Sequence, residues 1–150
     1  GAGFNCVNLS GQGLCVPAPS ANSRWKLTIQ RATLRPGDPA DGGAAWDADG
    51  SAADPRCCAN IAGTSVCTPK APDTNTPVWN YVSPVSFAWK DLAAVTLTLS
   101  DVDLLSDDFV DSYTVSLQSQ WAGQAWYLTL DHSSDPTAGS TQLVVTCTPE

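Results

Sequence analysis

The stretch AVTLTLSDVDLLSDDFVD, residues 94–111, runs from a strand pattern into a cluster of acids. Val95, Leu97 and Leu99 alternate with Thr96, Thr98 and Ser100, the period of two expected of a strand with one buried face. Continuing the apolar line by twos reaches Asp101 and Asp103, so two carboxylates are expected on the inward column where the core ends. A merely solvated acidic face would put them at even positions. Residues 101–111 hold five carboxylates and no basic residue. Carboxylate pairs about 5 Å apart repel by roughly 3 kcal/mol at an effective dielectric near 20.

The same period recurs along the chain. WKLTIQ places Trp25, Leu27 and Ile29 on one face, VSFAW does so with Val85, Phe87 and Trp89, and further strands are expected at 57–61, 112–117, 125–130, 141–147 and near the N-terminus. Between them lie RPGDPADGG, TPKAPDTNTP and HSSDPTAGS, rich in residues that set turn dihedrals or bond their own backbone. About eight strands, each with one apolar face, predict an all-β, antiparallel β-sandwich. The 150 residues suit one domain, 1–150.

A bound cation would reverse the repulsion in 101–111, and one loop rarely closes an oxygen cage. A second acidic cluster exists in AAWDADGSAADP, with Asp47, Asp49 and Asp54. DADG resembles an EF-hand start, but the twelfth position, where that loop needs Glu, is Cys58. A two-loop site is left. Calcium suits these donors because it takes about six to eight oxygens in flexible geometry, whereas magnesium keeps more of its water.

Composition narrows the classes. Net charge is −8 and fourteen of fifteen acids are Asp, which argues against nucleic-acid phosphate as a partner. Six cysteines (Cys6, Cys15, Cys57, Cys58, Cys67 and Cys147) and a single His, with no CxxC, favour three disulfides in an oxidising compartment over zinc. Cys57 and Cys58 should leave their strand on opposite faces. The preferred pairings are Cys6 with Cys15 and one of Cys57 or Cys58 with Cys67, with Cys147 taking what remains. No signal segment or membrane-length run is seen, which reads as mature exported protein: secreted, cell-surface or periplasmic. Asn8-Leu9-Ser10 fits a glycosylation acceptor.

In order, a WKLTIQRATL strand, an acidic loop closing in Asp-Pro, the TPVWN strand start and a strand ending in Asp-x-Asp resemble the C2 domain, a calcium-and-lipid-binding β-sandwich. The resemblance covers roughly residues 25–117. It implies calcium ligands at Asp47, Asp54, Asp101, Asp103 and Asp108, with carbonyls near Ala48 and Val102. An extra residue in the first loop lets Asp49 replace or join Asp47, and Asp107 competes with Asp108. Arg56, Tyr81 and Asp111 depart from the family pattern, and the cysteines suggest a divergent, exported relative.

The resemblance implies calcium-dependent contact with an anionic lipid surface, Leu104 and Leu105 serving as an apolar wedge, or with a protein partner. The alternative is a structural or self-assembling extracellular subunit stiffened by calcium and disulfides. Carbohydrate binding through Trp46 and Trp121 ranks third. No enzymatic activity is expected: Asp131-His132-Ser133 reads as a turn, and general acid-base groups are scarce.

Overall fold

The computed structural model describes residues 3–9, 12–38, 42–47, 49–103, 107–131 and 140–150. Alternating sequences form β1 (Phe4–Leu9), β2 (Gln12–Pro17), β3 (Arg24–Thr33), β4 (Pro55–Ile61), β5 (Thr64–Cys67), β6 (Val78–Val82), β7 (Phe87–Ala88), β8 (Val95–Asp101), β9 (Asp108–Val115), β10 (Ala125–Asp131) and β11 (Ser140–Pro149). Two four-strand arrays, β10-β11-β3-β6 and β5-β4-β8-β9, make the sandwich; β7 also pairs with β3, and β1 with β2 forms a separate hairpin. All these pairings are antiparallel. The expected eight-stranded antiparallel sandwich is therefore present.

Its membership differs from the sequence reading in two places. The N-terminal strands lie outside the two arrays, and VSFAW is not one strand. Pro84 has no N–H to give a ladder, and Ser83 Oγ takes the Leu27 N–H at 3.1 Å while donating to the Val85 carbonyl at 2.8 Å. The chain turns there, Val85 is left 45% exposed, and only Phe87 and Ala88 pair with β3 before a 3-10 turn begins at Trp89. β5 and β6 fill the array positions instead.

The core is built from alternate residues of four central strands. Trp25, Leu27 and Ile29 of β3, Cys57, Ala59 and Ile61 of β4, Val95, Leu97 and Leu99 of β8, and Leu143, Val145 and Cys147 of β11 are each at most 1% exposed. Burying one large apolar side chain of this kind contributes about 1.5–3 kcal/mol.

Two disulfides form, Cys6–Cys15 and Cys58–Cys67, each between residues directly opposite in an antiparallel pair. The third expected bridge does not. Cys58 is on the outer side of β4 with Cys67, which turns Cys57 inward; Cys57 and Cys147 are buried free thiols on opposite sheets. They pack as small apolar side chains, and burial pushes both thiols up to about 12.

The described parts of the connections 34–54, 68–77 and 102–107 meet at one end of the sandwich. Ladder partners Pro55, Asp101 and Asp108 mark that end in one sheet, and Thr33 and Val78 mark it in the other. Backbone bonds from Leu34 to the Asn75 carbonyl and from Thr74 to the Ala53 carbonyl, at 2.8 and 2.7 Å, tie the two together.

Candidate metal centre

Asp101 is the innermost group of this end. It continues the column of Val95, Leu97 and Leu99 as the parity of β8 requires, and it is 0% exposed. Its Oδ1 accepts the Asp54 N–H at 2.6 Å, while Oδ2 has no hydrogen-bond partner among the described residues. A buried carboxylate oxygen without a donor loses its hydration uncompensated. Burial, followed by the charges of Asp47, Asp54 and Asp108, raises the Asp101 pKa against the lowering effect of the Asp54 N–H.

Carboxylate oxygens of Asp47, Asp101 and Asp103 all lie within 4.8 Å of one another, and so do those of Asp47, Asp54 and Asp73. The two triads share Asp47. Asp103 follows the end of β8 and is half-buried. Lost hydration, a hydrogen bond with Asp47 and the nearby charges of Asp101, Asp47 and Asp108 push it up to about 6. The cluster thus resists full ionisation, as expected where several acids face one another.

Local backbone structure orders the first loop. Asp38 and Ala44 form an isolated antiparallel bridge, which brings Gly37 so near the Gly43 and Ala44 carbonyls that a Cβ would sit 2.5 and 2.6 Å from them. Trp46 then turns inward, 4% exposed, and donates its indole N–H to the Arg35 carbonyl at 3.1 Å. The next residue, Asp47, emerges into the cluster. A turn follows in which Gly50, at φ 85°, donates to the Asp47 carbonyl at 2.9 Å.

The other sequence candidates separate by partner. Asp49 is exposed and accepts from the Ser51 hydroxyl at 2.6 Å and the Ser51 N–H at 2.9 Å, bonds that lower its pKa; it belongs to neither triad. Asp107 pairs with Arg56 at 2.6 Å. Asp108 stands opposite Asp101 in the ladder and contributes charge to the cluster without completing either triad. Val102 donates its N–H to the Asp54 carbonyl at 3.1 Å, closing the two loops against each other. Leu104, Leu105, Ala48 and His132 with Ser133 lie outside the described residues, as does Ser10 of the glycosylation triplet.

Sequence reasoning missed Asp73 and Lys70, both on the 68–77 connection. The Asp73 N–H donates to Asp54 Oδ1 at 2.7 Å, and Lys70 Nζ donates to Asp54 Oδ2. These contacts, Lys70 first, hold the Asp54 carboxyl below its ordinary pKa. Cys58 opposite Cys67 was the available signal: a strand antiparallel to β4 must end where β4 begins, beside Asp54.

The two tryptophans of the sugar reading differ in placement. Trp46 is buried, contrary to its expected exposure, because its N–H finds the Arg35 carbonyl. Trp121 is 37% exposed and packs against Trp126, with centroids 6.1 Å apart.

No family model matches the sequence, and no curated protein does. Solved structures do match in shape. The calcium-bound C2A and C2B domains of Extended-Synaptotagmin 2 align at TM-score 0.64 and 16% identity, over 86% of this chain and 46% of that one. The C2A domain of plant Extended Synaptotagmin 1 aligns at 0.59 and 15%, over 87% and 98%. Human GIVD cytosolic phospholipase A2 aligns at 0.58 and 16%, over 87% of this chain and only 18% of the enzyme. This chain has the C2 fold.

Proposed function

We propose that the chain is a non-catalytic, calcium-binding C2-like module of an oxidising, extracellular compartment that docks on an anionic membrane surface when calcium is bound. The observation carrying this reading is Asp101: a fully buried carboxylate whose Oδ2 has no donor among the described residues, with a carboxylate oxygen within 4.8 Å of those of Asp47 and Asp103. The acids around it outnumber the one ammonium that acts on it, Lys70, and the all-oxygen donor set fits calcium. Asp47, Asp101 and Asp103 would hold one ion, and Asp47, Asp54 and Asp73 a second. Two ions would change the formal charge of −8 to about −4, removing much of the repulsion toward an anionic surface.

Phe109, next to Asp108 at the rim, is 60% exposed and supplies an apolar contact beside the ion site. The calcium-bound state of the aligned synaptotagmin domains and the two disulfides support the ion and the compartment. A second reading, calcium-stiffened assembly, is favoured by Val78 and Val82, 66% and 50% exposed on the edge strand β6.

Calcium calorimetry followed by sedimentation with phosphatidylserine vesicles, in calcium or in chelator, tests the proposal. Calcium-dependent pelleting that Phe109→Ala weakens is expected, and Asp101→Asn should remove both the binding heat and the pelleting. Calcium binding with no pelleting, together with calcium-dependent self-association, would favour the assembly reading.

A further inference from the structure

Lys70 brings a positive charge to the acidic end from a connection that belongs to neither acidic loop of the sequence. Its Nζ is on Asp54 Oδ2, and Asp47 and Asp101 act on it as well. Asp54 has both oxygens engaged, one by the Asp73 N–H and one by Lys70. The Lys70 side chain is 45% exposed while that of Asp54 is 19%, so the ammonium caps a more sheltered carboxylate from the solvent side. The buried Asp101 Oδ2 has no donor among the described residues, so this one monovalent cation does not satisfy the cluster.

We infer that Lys70 is a built-in counter-ion of the ion-free site, that a divalent cation binds in exchange for it, and that Lys70 thereby sets the site's affinity. The inference rests on the calcium reading above and adds a residue that weakens binding by occupying Asp54. The physical basis is competition: carboxylate oxygens of Asp47, Asp54 and Asp73, with three formal negative charges, lie within 4.8 Å of one another, and an ammonium already on one of them neutralises charge that a divalent cation would otherwise meet. Four methylenes and a water-exposed head let Lys70 leave by rotating its own bonds.

The test compares the wild type with Lys70→Met and, as a control for net charge, Lys90→Met. Lys90 lies in the 3-10 turn that leads into the start of β8, at the opposite end of that strand from Asp101. Calcium calorimetry should show Lys70→Met binding about fivefold tighter than the wild type, with Lys90→Met unchanged. In chelator, Lys70→Met should melt below the wild type, because Asp54 loses its counter-charge, and calcium should abolish the difference. Equal affinities for wild type and Lys70→Met, or tightening by Lys90→Met of the same size, would overturn the inference while leaving the calcium site standing. Absence of calcium binding in all three proteins would remove the site and the inference together.

Discussion

Asp103→Asn should stabilise the ion-free protein while weakening its response to calcium. In the fold, Asp103 titrates at about 6 in place of 3.8 because it is dehydrated and faces Asp47, Asp101 and Asp108. An acid whose folded pKa is raised leaves stability intact below its unfolded pKa and removes it as pH rises through the folded value. The window is therefore about pH 4 to 6, and the full penalty applies at neutral pH. Roughly two pH units at 1.36 kcal/mol each give an upper bound near 3 kcal/mol. Solvent screening of this half-exposed group halves that to about 1.5 kcal/mol. Asn cannot ionise, so in chelator at about pH 7.5 the variant should melt about 4 °C above wild type. The gap should close by about pH 4, where both side chains are neutral. Asp49 and Asp54, held low by their partners, contribute fully across this window and lose their contribution only at lower pH. Excess calcium should invert the order, since an ion at about 100 times its Kd adds about 2.7 kcal/mol to the form that binds it. Thermal melts by circular dichroism, in chelator and in calcium across that pH range, measure all of this. A variant that melts below wild type in chelator at neutral pH, or a gap that does not change with pH, would refute the electrostatic account.

Leu97→Ala, in the centre of β8 at 0% exposure, should destabilise by about 2–5 kcal/mol in urea unfolding with the calcium affinity of the remaining folded protein unchanged. Cys57 and Cys147, with pKa values pushed up to about 12, should resist a thiol reagent at neutral pH in the native state and react together once the protein is unfolded, two thiols per chain.

Strand parity is a local property, and wherever it held over several residues the sequence was enough. The β8 column delivers Asp101 to the inner end of the core because alternate residues of a strand must share a face. It was insufficient where a single side chain or a proline redirected the backbone. Pro84 and Ser83 turned the expected VSFAW strand, and the indole N–H of Trp46 drew a loop residue into the core. Lys70 and Asp73 sit in a connection with no periodicity, so their meeting with Asp54 follows only from strand pairing in three dimensions. Cysteine number alone suggested three bridges, but adjacency on β4 sent Cys58 to Cys67 and left Cys57 facing inward.

The Cys58–Cys67 staple lies only three residues before Lys70, and the chain on either side of Lys70 is fastened to β4 by bonds from Thr68 to the Cys57 carbonyl and from Ala71 to the Pro55 carbonyl, at 2.9 and 3.0 Å. A leash that short reaches about 10 Å at full stretch, and backbone bonds hold it both before and after Lys70. This side of the acidic end is therefore fastened to β4 on both sides of Lys70. Whatever cation arrives must be met by swivelling side chains on a motionless frame, so the backbone's far-ultraviolet signal should stay flat while the charge of the whole face changes.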